Sequence, residues 1–137
     1  QKGQLLEYAC GYSGNYYGTP KAYVQEQLAQ GNDVILEIEI QGAMQVKKKF
    51  DTGVFIFLVP PSMEELYSRL TSRGRESMEL IRERFLKAAE EMKCVNDYGY
   101  VVVNDTVQEA VEKIEAILTA EKCRTSRNQA FLAQLIP

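Results

Sequence analysis

The stretch that decides the fold is VFIFLV at residues 54–59, a continuous apolar run stopped by two prolines at 60–61. Six apolar residues without alternation are typical of a strand covered on both faces, as in parallel sheets. Strand-like runs also occur at 34–40 (VILEIEI) and at 100–103 (YVVV). The polar residues NDT at 104–106 follow the last run and could cap a helix. The three runs predict the strands of one parallel sheet.

Helical periodicity fills the intervals between these runs. The first helix has Thr19 as its cap residue, Pro20 at its first helical position and Gly31 as its closing glycine. Strands that alternate with helices predict an α/β fold with a parallel sheet. The first thirty residues are rich in tyrosine and glycine, and they predict a separate lobe or an edge. The further helices are predicted at 62–71, at 77–93 and from 107 onward.

Composition narrows the possible functions. With 137 residues the chain fits one domain, and its net charge of −3 argues against general nucleic-acid binding. It contains no histidine, which excludes Ser-His-Asp and Cys-His nucleophile pairs and histidine-ligated zinc. The three cysteines, at 10, 94 and 123, form no C-x-x-C motif and indicate a reduced, cytoplasmic setting. No apolar run approaches the roughly 20 residues of a membrane span, so we expect no membrane partner.

The arginines are unevenly distributed. Five of the seven fall between residues 69 and 84, and Arg69 and Arg73 are four residues apart on one face of a predicted helix. Rigid guanidinium groups gathered on one segment suit the oxygens of several phosphates. The alternative is a charged surface helix whose arginines pair with neighbouring glutamates.

Two further positions carry polar groups where a parallel sheet binds ligands. Glu37 and Glu39 are two residues apart on a predicted strand, so both project to the same face. On a central strand they would need a cation, a donor-rich ligand or arginines, whereas an edge strand would leave them in water. Asn104 follows the last strand at its carboxyl end, where open parallel sheets bind ligands. A helix cap or an Asx-turn is the alternative for Asn104.

The third cluster consists of Glu7 and the stretch GNYYGTP at 14–20. A carboxylate can accept two adjacent N–H bonds, which the Watson–Crick edge of guanine offers and that of adenine does not. The hydroxyls of tyrosine and threonine could complete a pocket for a phosphate or a base. The alternative is a simple turn, with Thr19 capping the helix that follows.

Taken in this order, these stretches resemble the guanylate kinase family. Each motif is weak alone, but their order across nearly the whole chain is specific. The matching segments are LEYA at 6–9, GNYYGTP at 14–20, LEIEIQGA at 36–43, FIFLVPPS at 55–62, L-x-x-R-L-x-x-R-G at 66–74 and VVND at 102–105.

The resemblance implies transfer of the γ-phosphoryl group of ATP to GMP, giving ADP and GDP, with Mg²⁺. It implies a P-loop NTPase-like parallel sheet with flanking helices, a part of a GMP-binding lobe at 1–33 and a core α/β domain at 34–137. A lid lies at about 72–84 in this scheme. Its closure would bring arginines onto the phosphates and exclude water.

The resemblance also implies residue roles. Arg69, Arg73 and Arg84 match the catalytic arginines of the family, which bind the phosphates. Glu7 matches the carboxylate that reads guanine, and Glu37 lies near the metal through water. Asn104 lies on the adenine side of ATP. The remaining GMP contacts are matched by Tyr16, Tyr17, Gly18, Thr19 and Glu39.

One family feature is absent from the sequence, which contains no G-x-x-x-x-G-K-[ST] loop. This loop cradles the ATP phosphates, and in the family it precedes the matched region. The resemblance therefore covers the C-terminal two-thirds of the family's sequence. In the family's sheet, the strand that leads into this loop lies between the strands that correspond to 34–40 and 54–59, and that strand is missing here. We expect that this chain, which begins at Gln1, is part of a longer molecule or is completed by another chain, and that alone it is inactive.

Two alternatives remain open. The first is a non-catalytic guanylate-kinase-like module that binds phosphorylated peptides, which the missing loop would suit and the spacing of the arginines opposes. The second is a kinase for a pyrimidine monophosphate, which Glu7 and the paired tyrosines disfavour.

Overall fold

The structure is a computed structural model that describes the backbone of residues 5–10, 16–72 and 77–137, and side chains from residue 21 onward within these ranges. The described residues form two compact units, Gln1–Gly53 and Val54–Pro137. Within them lie four strands and six α-helices. None of the helices in the described ranges is long and apolar enough to cross a membrane.

The first unit is built on an antiparallel pair of strands. Its elements are β1 (Leu5–Cys10), β2 (Tyr16–Pro20), α1 (Lys21–Ala29) and α2 (Ile40–Lys49). Helix α2 lies against β1, and Val24, Ala43 and Val46 form the buried apolar centre of the described side chains here. Gly31 has φ of 85°, a value that favours glycine, and its N–H donates to the Leu28 carbonyl after the end of α1.

Two predictions for this unit are corrected. Pro20 is the last residue of β2, paired with Leu5, so α1 begins after it and Thr19 lies within the strand instead of capping the helix. The run at 34–40 is not a strand: residues 32–39 belong to no helix or strand, and α2 begins at Ile40. A strand is defined by its hydrogen bonds to a neighbour, and no described strand pairs with this run. Ile35 is accordingly 76% exposed.

The second unit is a short parallel sheet with helices. Strand β3 (Ile56–Val59) pairs in parallel with β4 (Tyr100–Val103), and Ile56 lies opposite Tyr100. These strands confirm the predicted run at 100–103 in full and the run at 54–59 from Ile56 onward. The parallel connection passes through α3 (Met63–Ser72), α4 (Met78–Glu91) and a 3₁₀ helix (Met92–Asp97). After β4 come α5 (Val107–Lys122), a 3₁₀ turn (Thr125–Arg127) and α6 (Gln129–Leu135).

The buried residues of the parallel pair lie on both of its faces. Phe57 and Val102 are buried, and because Phe57 lies opposite Val101 and Leu58 lies opposite Val102, the two buried residues hold positions on opposite faces. Leu58 and Val101 are about half exposed. The Tyr98 ring meets the Phe57 ring edge to face, with ring centroids 4.9 Å apart. Burial is the largest cause that raises the pKa of the Tyr98 phenol. The predicted α/β class with a parallel sheet is thus confirmed.

Candidate functional site

The pairing of β1 with β2 groups three of the predicted GMP contacts. Glu7 lies directly opposite Thr19, and Ala9 lies opposite Tyr17. Directly opposed residues share a face of a strand pair, as do residues two apart on one strand. Glu7, Tyr17 and Thr19 therefore hold register positions on one face. Tyr16 and Gly18 hold positions on the other face.

The two predicted carboxylates precede helix α2. Glu39 has extended dihedral angles (φ −73°, ψ 166°) and directly precedes the helix, where its carbonyl accepts the Ala43 N–H at 2.9 Å. A carboxylate at this position interacts favourably with the positive end of the helix dipole. Glu39 is half-buried and Glu37 is exposed. Because 34–40 is not a paired strand, a shared face for these two side chains stays a prediction from their spacing.

The segment after β4 joins three elements. We call residues 104–106 the β4–α5 turn. The Asn104 N–H donates to the Val59 carbonyl at 2.7 Å, which extends the pairing of the strands by one residue. The Thr106 hydroxyl accepts the Glu109 N–H at 3.2 Å and caps α5. The cap is therefore Thr106, and the capping alternative for Asn104 is not needed.

Arg69 of helix α3 contacts this turn directly. Its Nη1 donates to the Asn104 carbonyl at 2.7 Å, and its Nη2 donates to the Asp105 carbonyl at 2.9 Å. Its Nε donates to Glu65 Oε1 at 3.2 Å, and the Asp105 carboxylate lies 4.0 Å from Nη2. The structure thus brings Arg69 and Asn104, two of the predicted site residues, together at the carboxyl end of β4.

The structure describes one of the other two predicted arginines. Arg84 is half-buried on α4, and Arg73 lies outside the described residues, as do all of 73–76. Helix α3 ends at Ser72 and the Ser77 hydroxyl caps α4 by accepting the Leu80 N–H. Of the predicted lid at about 72–84, the part from 78 onward therefore belongs to α4, and residues 73–76 lie outside the described residues. The two helices meet where the Tyr67 and Phe85 rings pack edge to face, 5.7 Å apart.

An open cleft of about 450 Å³ lies beside this aromatic pair. Besides the two rings, the described residues that line the cleft are Met78, Glu79 and Arg82. The cleft combines apolar surface with one carboxylate and one guanidinium group. The sequence did not indicate it, because its walls come from two helices whose packing the periodicity of each helix alone does not define.

Sequence reasoning also missed a polar cluster at the opposite end of β4, formed by Glu121, Tyr100, Arg124 and Arg127. Glu121 is buried, with a side chain only 8% exposed, and it accepts hydrogen bonds from the Tyr100 hydroxyl, from Arg124 Nε at 2.7 Å and from Arg127 Nη2 at 3.2 Å. The Tyr100 hydrogen bond first, and the Arg124 hydrogen bond next, lower the Glu121 pKa to about 2. We call this set the Glu121 cluster. The spacing of three between Glu121 and Arg124 was the one available signal.

Comparison with known proteins identifies the family. The family model described as guanylate kinase matches residues 1–121. The chain belongs to the guanylate kinase family. It is 57% identical over 127 residues to the guanylate kinase of Desulfitobacterium hafniense, covering 93% of this chain and 63% of that protein. It is 58% identical over 125 residues to that of Caldanaerobacter subterraneus, covering 91% of this chain and 60% of that protein.

The solved structures agree with the sequence relatives. The fold is similar to the crystal structure of guanylate kinase from Anaplasma phagocytophilum, with a TM-score of 0.74 and 33% identity. That match covers 92% of this chain and 60% of the other. The chain thus spans about three-fifths of the length of the guanylate kinases that it matches. The predicted resemblance to the family is confirmed.

Proposed function

We propose that the protein is a nucleoside-monophosphate kinase that transfers the γ-phosphoryl group of ATP to GMP, giving ADP and GDP. The observation that carries the proposal is the register of β1 and β2, which puts Glu7 opposite Thr19 and on one face with Tyr17. In this proposal Glu7 accepts the two adjacent N–H groups of guanine, while Tyr17 and Thr19 contact GMP from the same face of the strand pair. The further proposed GMP contacts, which the register does not group with Glu7, are Tyr16, Gly18 and Glu39. Family membership supports the same substrate.

The arginines have the second role in the proposal. Phosphoryl transfer requires two phosphates held in line and positive charge spread over the oxygens of the transferred group. Arg69, Arg73 and Arg84 supply that charge, and a lid over about 72–84 carries or flanks them. Asn104 contacts the adenine side, which its place at the carboxyl end of β4 supports.

Mg²⁺ is the metal that the proposal requires. Among the described side chains, no three of His, Cys, Asp and Glu come close enough to hold a metal ion. Mg²⁺ in such enzymes is bound by one or two carboxylates and the phosphates of the substrate, and glutamate oxygens are donors of the kind it takes. The carboxylate of Glu37, acting through water, is therefore a donor of a kind that fits Mg²⁺, while Glu39 is assigned to GMP. When bound, Mg²⁺ neutralises charge on the phosphates.

Two further parts of the proposal concern the setting of the protein. A reduced compartment such as the cytoplasm is supported by the free thiols of Cys94 and Cys123 in the described residues. ATP and GMP are the proposed small-molecule partners, and nucleic acids and membranes are not proposed as partners.

Calorimetry with GMP and with a phosphorylated peptide tests the proposal, using the protein at its natural length. We expect GMP binding, and we expect Glu7→Gln to weaken it about ten- to a hundredfold, because a hydrogen bond to a charged group is lost. Glu26→Gln, an exposed carboxylate on α1 of the same unit, is the matched control and should leave GMP affinity unchanged. Peptide binding without GMP binding would favour the non-catalytic module instead.

A coupled assay for ADP formation tests the chemistry. The wild-type protein should turn over ATP only when GMP is present, and Arg73→Ala should lower kcat by orders of magnitude, since an arginine at a transferring phosphoryl group contributes about 10³-fold or more. A variant with unchanged kcat would remove Arg73 from the proposed clamp. CMP and UMP as acceptors distinguish guanine recognition from pyrimidine recognition.

A further inference from the structure

We propose that Arg69 is a positioning residue that fixes the β4–α5 turn, and that Glu65 in turn fixes Arg69. This inference rests on the proposed function, which assigns Arg69 to the phosphates and Asn104 to the adenine side of ATP. It adds that Arg69 also holds the conformation of the β4–α5 turn, to which Asn104 belongs. The observation that carries it is the set of three hydrogen bonds from one guanidinium group to Asn104, Asp105 and Glu65.

The geometry of the two carbonyl contacts is demanding. Nη1 and Nη2 donate to consecutive carbonyl oxygens, those of Asn104 and Asp105, at 2.7 and 2.9 Å. Two consecutive carbonyls reach one planar group only for particular backbone angles, so the guanidinium group selects the conformation of the turn. An ammonium group is a point charge without this fixed fork and cannot span both oxygens in the same way.

The turn that Arg69 holds is connected to the sheet and to α5 as well. Asn104 donates to Val59 at the end of β3, and Thr106 caps α5. Helix α3, strand β3 and helix α5 thus meet at residues 104–106, and Arg69 supplies the α3 connection. A shift of α3 that withdraws Arg69 therefore releases the turn from one of its three attachments.

Anchoring leaves Arg69 able to act on an anion. A guanidinium group has five N–H donors, and the contacts with described residues use three of them. The side chain is 37% exposed, and two of its three acceptors are neutral carbonyls. The anchoring role and the proposed phosphate contact are therefore compatible in one side chain.

Glu65 holds the guanidinium group from its own helix. Its N–H donates to the Ser62 hydroxyl at 3.0 Å, which fixes it in the first turn of α3. Its carboxylate accepts from Arg69 Nε, one helical turn further on. A glutamate that lies four residues before a basic residue is the favourable order for such a pair. The neighbouring Glu64, exposed on the same helix, provides a matched control.

Amide hydrogen exchange of the nucleotide-free protein tests the anchoring without any use of activity. We expect Arg69→Lys to accelerate exchange of the Asn104 amide about tenfold relative to the amides of β4, since charge-assisted hydrogen bonds to the turn are lost. Arg82→Lys, an exposed arginine on α4, should change nothing. Equal exchange in the two variants would overturn the proposal, as would an acceleration that is uniform across β4 and therefore global.

Kinetics test the role of Glu65. Glu65→Ala should raise the KM for ATP about twofold, the effect of one exposed helical ion pair, with the KM for GMP unchanged. Glu65→Gln, which keeps an acceptor oxygen, should restore part of the loss, and Glu64→Ala should have no effect. Equal KM values for ATP in Glu65→Ala and Glu64→Ala would refute the role of Glu65. A wild-type protein without kinase activity would contradict the proposed function instead, while the exchange result would still decide the anchoring of the turn.

Discussion

The two ends of strand β4 use arginines in opposite ways. At its start, the Glu121 cluster holds a carboxylate that is only 8% exposed between two arginines and the Tyr100 hydroxyl. At its end, Arg69 holds the β4–α5 turn through two main-chain carbonyls, and the carboxylates beside it, Glu65 and Asp105, are 47% and 60% exposed. One strand thus separates a buried charge cluster from an exposed one.

This difference in exposure indicates at which end of β4 the charged side chains can exchange one binding partner for another. Exposed ion pairs contribute little because water and salt screen them, so an incoming anion can replace them at small cost. A buried carboxylate that loses its partners is left without compensation in a poorly solvated site. The start of β4 is therefore built for stability. The end of β4 lies where open parallel sheets bind ligands, and in the proposed function its more exposed arginine, Arg69, stays available to a substrate phosphate.

The largest effect should come from breaking the buried cluster. Glu121→Ala removes the acceptor of three hydrogen bonds and leaves Arg124, Arg127 and Tyr100 without it, so we expect a larger fall in Tm than from any substitution at the exposed end of β4. Thermal unfolding followed by circular dichroism measures it. Glu115→Gln, an exposed carboxylate on the same helix, is the control and should unfold near the wild-type temperature.

The Glu121 carboxyl should also make the free energy of unfolding depend on pH. The part of the stability that is lost at acidic pH should not exceed the loss caused by Glu121→Ala. Glu121 releases its proton at about pH 2 in the folded chain, because its pKa is lowered from an ordinary value of 4.5. Between these values the unfolded chain binds more protons, so the contribution of Glu121 is complete above about pH 4.5 and is lost as the pH falls toward 2. Urea unfolding across the acid range below neutral pH measures the slope, and Glu121→Gln should flatten it. A slope shared by both proteins would show that other carboxyls are responsible.

The sequence predicted the elements whose signals are local. The apolar runs at 54–59 and 100–103 became β3 and β4, and helical spacing located α3, α4 and α5. The run at 34–40 failed as a strand because strand propensity does not supply a neighbour to pair with. Its β-branched residues nevertheless stay out of any helix up to Ile40, where α2 begins.

The sequence motifs indicated which residues belong to the candidate site, but they did not indicate the contacts that those residues make. Motifs named Arg69 and Asn104, but nothing in the spacing of 35 positions indicated that Arg69 donates to the carbonyl of Asn104 and not to a side chain. Every residue has a main-chain carbonyl, so a contact to the main chain hardly restricts which residue type stands at that position. The Glu121 cluster was missed for a different reason: it joins side chains, but Tyr100 and Glu121 meet only after β4 and α5 pack together.

The smallest effect in this comparison should come from the cap at the exposed end. Thr106→Ala removes the acceptor of the Glu109 N–H and should lower the free energy of unfolding by about 1 kcal/mol, the usual contribution of a helix N-cap. Thr119→Ala, an exposed threonine in the last turn of the same helix, is the control and should be neutral or slightly stabilising, because alanine has the higher helix propensity. Urea unfolding at neutral pH measures both. If Thr106→Ala instead cost as much as Glu121→Ala, the two ends of β4 would be equally rigid, and the turn could not be the end at which partners are readily exchanged.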